Sequence, residues 1–144
     1  MKEEYNKVKI FTQALKNNHV TTKKHAPVEV NEVPSLIHED AGVRLFNLQQ
    51  EENFEYREAV NNRDLVEIAD GICDGIYIEF GKLVQHGISY ECFTELFKEV
   101  CKSNDSKLVD NEIFCDNEGK GMKPTSFVKP NLRPILEKYG AIIK

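Results

Sequence analysis

The chain has 144 residues, with 19 Lys and Arg against 24 Asp and Glu and a net charge of -5; that is enough for one domain with its own core and too little for two. No Lys/Arg run forms a patch able to grip duplex nucleic acid, so a polymer partner is disfavoured. No apolar run approaches the roughly 20 residues of a membrane span, and the Met1-Lys2-Glu3-Glu4 start lacks an apolar signal region, so no membrane partner is expected and the expected location is the cytoplasm.

In chain order, Val8, Phe11, Thr12 and Leu15 recur at helical spacing and predict a short amphipathic helix over Tyr5 to Lys16. Residues 17 to 34 carry Pro27 and Pro34 without sustained periodicity and read as a connecting arm. The stretch from Leu45 to Asp74 then reads as a helix hairpin with carboxylates where core residues belong. On its first helix Ala41, Leu45, Leu48, Glu52, Glu55 and Ala59 follow three-then-four spacing, so two glutamates interrupt an apolar seam. On the second, Glu67, Asp70 and Asp74 share an arc of roughly 60° at about 100° per residue. They border an apolar arc of Leu65, Ala69, Ile72, Cys73, Ile76, Phe80 and Leu83. Only Asn61, Asn62 and Arg63 separate the helices, and Asp64 reads as an N-cap with Glu67 three residues on, a capping box. So short a connection makes the helices antiparallel neighbours.

Folding the hairpin about Asn62 sets Glu55 between Glu67 and Asp70, and Glu52 between Asp70 and Asp74. That many like charges on one seam raise the carboxylate pKa values unless cations lie among them. The donors are hard oxygens, which selects Mg²⁺, with Mn²⁺ as a substitute; zinc would find no histidine there. Beside the acids, Gly71 and Gly75 permit close approach, either of a second subunit or of a phosphate chain or sugar, and Tyr77 is placed to border the same space.

Gly87 suits a C-terminal cap for the second hairpin helix and Ser89 an N-cap for the next, whose apolar face is Phe93, Leu96, Phe97 and Val100 and which ends near Ser103. Residues 111 to 115 and 121 to 128 read as a small β-hairpin around Asp116-Asn117-Glu118-Gly119. Lys120, Lys123, Lys129 and Arg133 form the one basic concentration, and Leu132 to Tyr139 predicts a short helix. Cys73, Cys92, Cys101 and Cys115 lack metal spacing and read as reduced thiols; His19, His25, His38 and His86 lack pair spacing and read as surface or satisfied polar residues. The whole is an all-α antiparallel bundle with a minor C-terminal hairpin, a single domain over 1–144 with its helical core at about 39–103 and the hairpin and tail at about 107–144.

Glu51-Glu52-x-x-Glu55 followed by Glu67-x-x-Asp70 resembles the EExxE and ExxD signature of the all-α nucleoside triphosphate pyrophosphohydrolases, the MazG-like and phosphoribosyl-ATP pyrophosphatase-like superfamily. The run Asp64 to Asp70, the segment Ser103-Asn104-Asp105-Ser106-Lys107-Leu108, the stretch Gly119 to Pro124 and Pro130-Asn131-Leu132 are similar to those of its small stand-alone, phage-type members. The likeness covers roughly residues 7 to 136. It implies a Mg²⁺-dependent hydrolase that converts a ribo- or deoxyribonucleoside triphosphate to the monophosphate and pyrophosphate. Glu52, Glu55, Glu67 and Asp70 would hold the ions with Asp74 assisting, and Glu52 or Glu55 would take the proton of the attacking water. Asn104, Lys107 and Lys123 would bind the substrate, and the assembly would be a homodimer or homotetramer. Phosphoribosyl-ATP pyrophosphatase is a competing expectation, ranked lower on the form of the tail, and a non-catalytic nucleotide- or metal-binding dimerisation module is a third. A di-iron bundle is disfavoured, since neither helix carries Glu-x-x-His.

Overall fold

A computed structural model describes the whole chain, residues 1–144. It is all-α, as the periodicity predicts, with helices α1 Lys2–Thr22, α2 Glu39–Asn62, α3 Leu65–Gln85, α4 Tyr90–Asp105 and α5 Arg133–Lys138. None is long and apolar enough to cross a membrane. The chain forms two compact units, Met1–Tyr90 and Glu91–Lys144.

In the first unit α1 runs past the predicted end at Lys16 to Thr22, where the Thr21 and Thr22 hydroxyls donate back to the Asn17 and Asn18 carbonyls, and Lys23 closes the helix at φ 55°. Its buried residues Tyr5, Val8 and Thr12 face α3, against which it lies antiparallel. The Tyr5 ring meets Phe80 edge-on at 5.9 Å while its hydroxyl donates to the Ile88 carbonyl at 2.8 Å. One end of the arm is tied to the end of α3, where Asn31 N–H donates to Gln85 O at 3.2 Å and Ser35 N–H to His86 O at 2.9 Å. His38 then caps α2, its Nδ1 accepting from Asp40 N–H.

The α2–α3 hairpin follows the predicted register. A Cβ added at Gly75 would lie 3.4 Å from Gln49 Nε2, and one at Gly71 3.4 Å from the Tyr56 backbone. These glycines therefore serve close packing of α3 on α2 in the same chain. Arg63 turns the corner at φ 56°, and Asp64 accepts from Val66 and Glu67 N–H. The reciprocal half of the capping box is absent, because Asp64 N–H donates to Ala59 O instead. At the other end Gly87 N–H reaches Val84 O and Ile88 N–H reaches Leu83 O, a Schellman closure with Gly87 at φ 70°. The expected apolar arc of α3 is only half covered. Phe80 is buried, but Leu65, Ile72, Cys73 and Ile76 are exposed. The ring contacts of α1 reach only as far down α3 as Tyr77.

In the second unit, Phe93 and Phe97 stack at 5.6 Å on α4, and Cys92 is buried. Glu95 fastens α5 by accepting from Lys138 Nζ at 2.7 Å and from the Tyr139 hydroxyl at 2.7 Å. The predicted β-hairpin does not form; the regular element of the tail is the short helix α5. Residues 109 to 121 make only two isolated bridges, Val109 with Glu112 and Cys115 with Gly121. Turns consume the segment: Asp110 and Asn111 take φ of 53° and 62°, Gly119 takes 80°, and the Asp116 carboxylate captures the N–H groups of Glu118 and Lys120. A ladder has no room to extend.

Candidate active site

Glu52 stands on the face of α2 turned to α3 and is half-buried, with Oε2 fully buried and without a hydrogen-bond partner. Burial raises its pKa, and the charges of Asp74, Glu55, Glu51 and Asp70 raise it further. The fold thus brings Glu55, Asp70 and Asp74 within electrostatic reach of Glu52. Glu55, Asp70 and Asp74 are exposed. Glu67, one turn earlier on α3, is not among the groups acting on Glu52; its N–H is held by the Asp64 cap. No three Asp, Glu, His or Cys side chains are close enough as they stand to share an ion; mutual repulsion among carboxylates disfavours a tighter cluster. The donor chemistry does fit a hard divalent cation, since the orphaned Glu52 oxygen lacks a positive partner and more acids lie around it.

Glu52 and Asp74 open on a cavity of about 390 Å³ between α1, α2 and α3, within the size range of small-ligand sites. Val8, Phe11, Leu15, Leu45, Leu48 and Ile78 supply apolar walls, and Glu52 and Asp74 lie among the lining residues with Thr12, Arg44, Tyr77, Gly81 and Gln85. Phe11 and Tyr77 meet edge to face at 5.8 Å, and burial pushes the Tyr77 phenol up. Tyr77 thus borders the cavity, as expected. Arg44 forms no hydrogen bond or ion pair, and burial pushes its guanidinium pKa down. It also lines a second cavity of about 400 Å³ with Ala26, Asp40, Asn47 and Glu51.

Arg44 and Gln85 were not among the residues singled out from the sequence, although the spacing carries a signal for them; Val8, Phe11, Thr12 and Leu15 were read only as a helix face, not as a cavity wall. The acidic stripe Glu67, Asp70, Asp74 continues at steps of four, three and four through Ile78, Gly81 and Gln85, and Arg44, Leu48 and Glu52 are successive fours on α2.

The expected substrate-binding residues gather within the second unit. Lys107 Nζ donates to Asn104 Oδ1 at 2.9 Å, and the Lys107 and Lys123 ammonium groups lie 5.9 and 5.1 Å from the centroid of the Phe127 ring. Ser106 Oγ holds this segment by accepting from Val128 N–H at 2.8 Å. Two cations on one ring form a local positive spot suited to phosphate oxygens.

The fold is an all-helical one whose central hairpin sets carboxylates of both helices about Glu52, beside a cavity. Residues 13–104 match the family model described as phosphoribosyl-ATP pyrophosphohydrolase, and the chain belongs to that family, within the MazG-like all-α pyrophosphatase superfamily. No curated protein matches the chain.

Proposed function

We propose that the protein is a Mg²⁺-dependent nucleoside triphosphate pyrophosphohydrolase releasing a nucleoside monophosphate and pyrophosphate. The observation that carries this is the unpartnered, buried Glu52 oxygen, with four further carboxylates acting on it, at a cavity walled largely by apolar side chains. Glu52, Glu55, Glu67 and Asp70 would hold the ions, with Asp74 assisting. Bound Mg²⁺ supplies charge neutralisation of the phosphates and a water of lowered pKa. Glu52 or Glu55 would take the proton of the attacking water. The apolar wall with Phe11 and Tyr77 receives the nucleoside. In the second unit, Lys107, Lys123 and Asn104 are the proposed substrate-binding residues, as the resemblance implies. The exposed apolar residues of the hairpin support a homodimer or homotetramer.

A second reading, phosphoribosyl-ATP as substrate, follows from the name of the matching family. Both are separated by incubating the protein with a panel of ribo- and deoxyribonucleoside triphosphates and phosphoribosyl-ATP, with Mg²⁺ or EDTA, and resolving the products by chromatography. The expected result is monophosphate and intact pyrophosphate from triphosphates, only with Mg²⁺. Turnover confined to phosphoribosyl-ATP selects the second reading. Diphosphate accumulation, or full activity in EDTA, overturns both.

A further inference from the structure

We propose that Gln85 and Arg44 read the nucleobase and select bases that present a carbonyl beside an N–H, so that adenine is disfavoured. This rests on the cavity being the nucleoside end of the site proposed above.

Gln85 is 2% exposed, and its Oε1 is buried without a hydrogen-bond partner. Three buried side-chain atoms lack partners, those of Gln49, Glu52 and Gln85, and the latter two residues line this cavity. An orphaned amide oxygen among apolar walls costs stability in the free protein, so a ligand that satisfies it gains selectively. Asp74 and Gln85 lie on one stripe of α3, eleven residues or about 16 Å apart at 1.5 Å per residue. A nucleotide laid along that stripe with its phosphates at the acids directs its base edge toward Gln85. Arg44 stands on the facing helix with five donors and no partner among protein groups. The Gln85 oxygen calls for an N–H donor and the guanidinium for a carbonyl oxygen. Uracil, thymine, guanine and hypoxanthine present both on one edge. Adenine has no carbonyl and leaves the guanidinium unpaired, and a buried polar group left unpaired is what gives such sites their selectivity.

The test is equilibrium binding of free nucleosides to the full chain in EDTA, by calorimetry, for wild type, Gln85→Met and Arg44→Met, with thermal melting of each. Wild type should bind guanosine, inosine or thymidine at least about tenfold more tightly than adenosine. Gln85→Met should lose most of that preference while melting at the same temperature or higher, because the variant removes an unpaired buried amide. Arg44→Met should weaken the carbonyl-bearing nucleosides and leave adenosine unchanged, and Arg44→Lys should restore binding in part. Equal or tighter binding of adenosine by wild type, an unchanged ranking in Gln85→Met, or a lowered melting temperature in that variant would overturn the assignment. The two proposals fail separately: wild type that selects nucleosides but hydrolyses no triphosphate with Mg²⁺ loses the hydrolase reading alone, and one that hydrolyses all triphosphates equally and binds nucleosides without preference loses this one alone.

Discussion

In the proposed site, Glu52 is the residue at which stability and function oppose each other. Its folded-state pKa lies above the ordinary 4.5, first through burial and then through Asp74, Glu55, Glu51 and Asp70. A raised carboxylate pKa means that the folded state holds the proton more tightly, so the contribution to stability is greatest below pH 4.5 and is lost as pH rises through the folded value. At neutral pH the charge therefore destabilises the metal-free protein. Glu52→Gln should raise the melting temperature in EDTA at pH 7, and the gain should vanish below pH 4.5, where wild type carries the proton in both states. Mg²⁺ should raise the melting temperature of wild type and do so much less for the variant. A variant less stable than wild type in EDTA at pH 7 would show that Glu52 is held by an attraction the structure does not contain. Turnover should fall by at least about a hundredfold in Glu52→Gln and Glu55→Gln, since losing even a residue behind a metal ligand commonly costs tenfold to a hundredfold.

At the scale of elements, the turns are where local chemistry is decisive. Gly87 closes α3 at φ 70°, and a Cβ there would lie 2.3 Å from the Val33 carbonyl oxygen. Gly87→Ala should therefore destabilise by about 2 kcal/mol or more, from left-handed strain plus displacement of the arm. Gly42 is the contrast, a glycine inside α2 with nothing within 4 Å of an added Cβ; Gly42→Ala should stabilise by about 0.5–1 kcal/mol. Urea melts of the two variants check both signs. In the second unit the Glu95 carboxylate, accepting from Tyr139, pushes that phenol up to about 12. Its contribution is present below pH 10 and lost as pH rises through about 12. Absorbance titration should show the late midpoint for Tyr139, and Glu95→Gln should move it toward 10. The hairpin register, the Asp64 cap, the Gly87 closure and the meeting of Glu52 with Asp70 and Asp74 were all legible in the sequence, because three-then-four spacing and cap chemistry are local. The cavity was not. Val8, Phe11, Thr12 and Leu15 announced a helix face, but what that face encloses depends on α1 lying against α3, a pairing no spacing within α1 encodes. The tail misled for the opposite reason: two short segments around Asp116-Asn117-Glu118-Gly119 suggested a β-hairpin, while the Asp116 carboxylate and the left-handed Asp110 and Asn111 spend this stretch on turns.

For the whole molecule, the exposed apolar surface bears on assembly. Leu65 and Val66 are 78% and 75% exposed, and Phe54, Ile72 and Ile76 are exposed with them. All lie on the α2–α3 hairpin, where one copy of the chain leaves them uncovered. Each large apolar side chain moved from water into an interface contributes about 1.5–3 kcal/mol, so four or five of them on each copy supply much of what a stable pair requires after the cost of association. A twofold pairing of two hairpins buries the same residues of both chains at once, and it keeps the exposed carboxylates of each copy near the seam. Light scattering at micromolar concentration should therefore give at least twice the 16.5 kDa of one chain. Ile72→Asp should shift the mass toward the monomer and make the melting temperature independent of concentration, because it places an unpaired charge where two apolar faces meet. The same substitution lies two residues from Asp70 and Asp74, so activity alone would be ambiguous; mass decides. A monomeric wild type at that concentration would mean that the hairpin's apolar face serves some other partner, and the homo-oligomer would have to be abandoned.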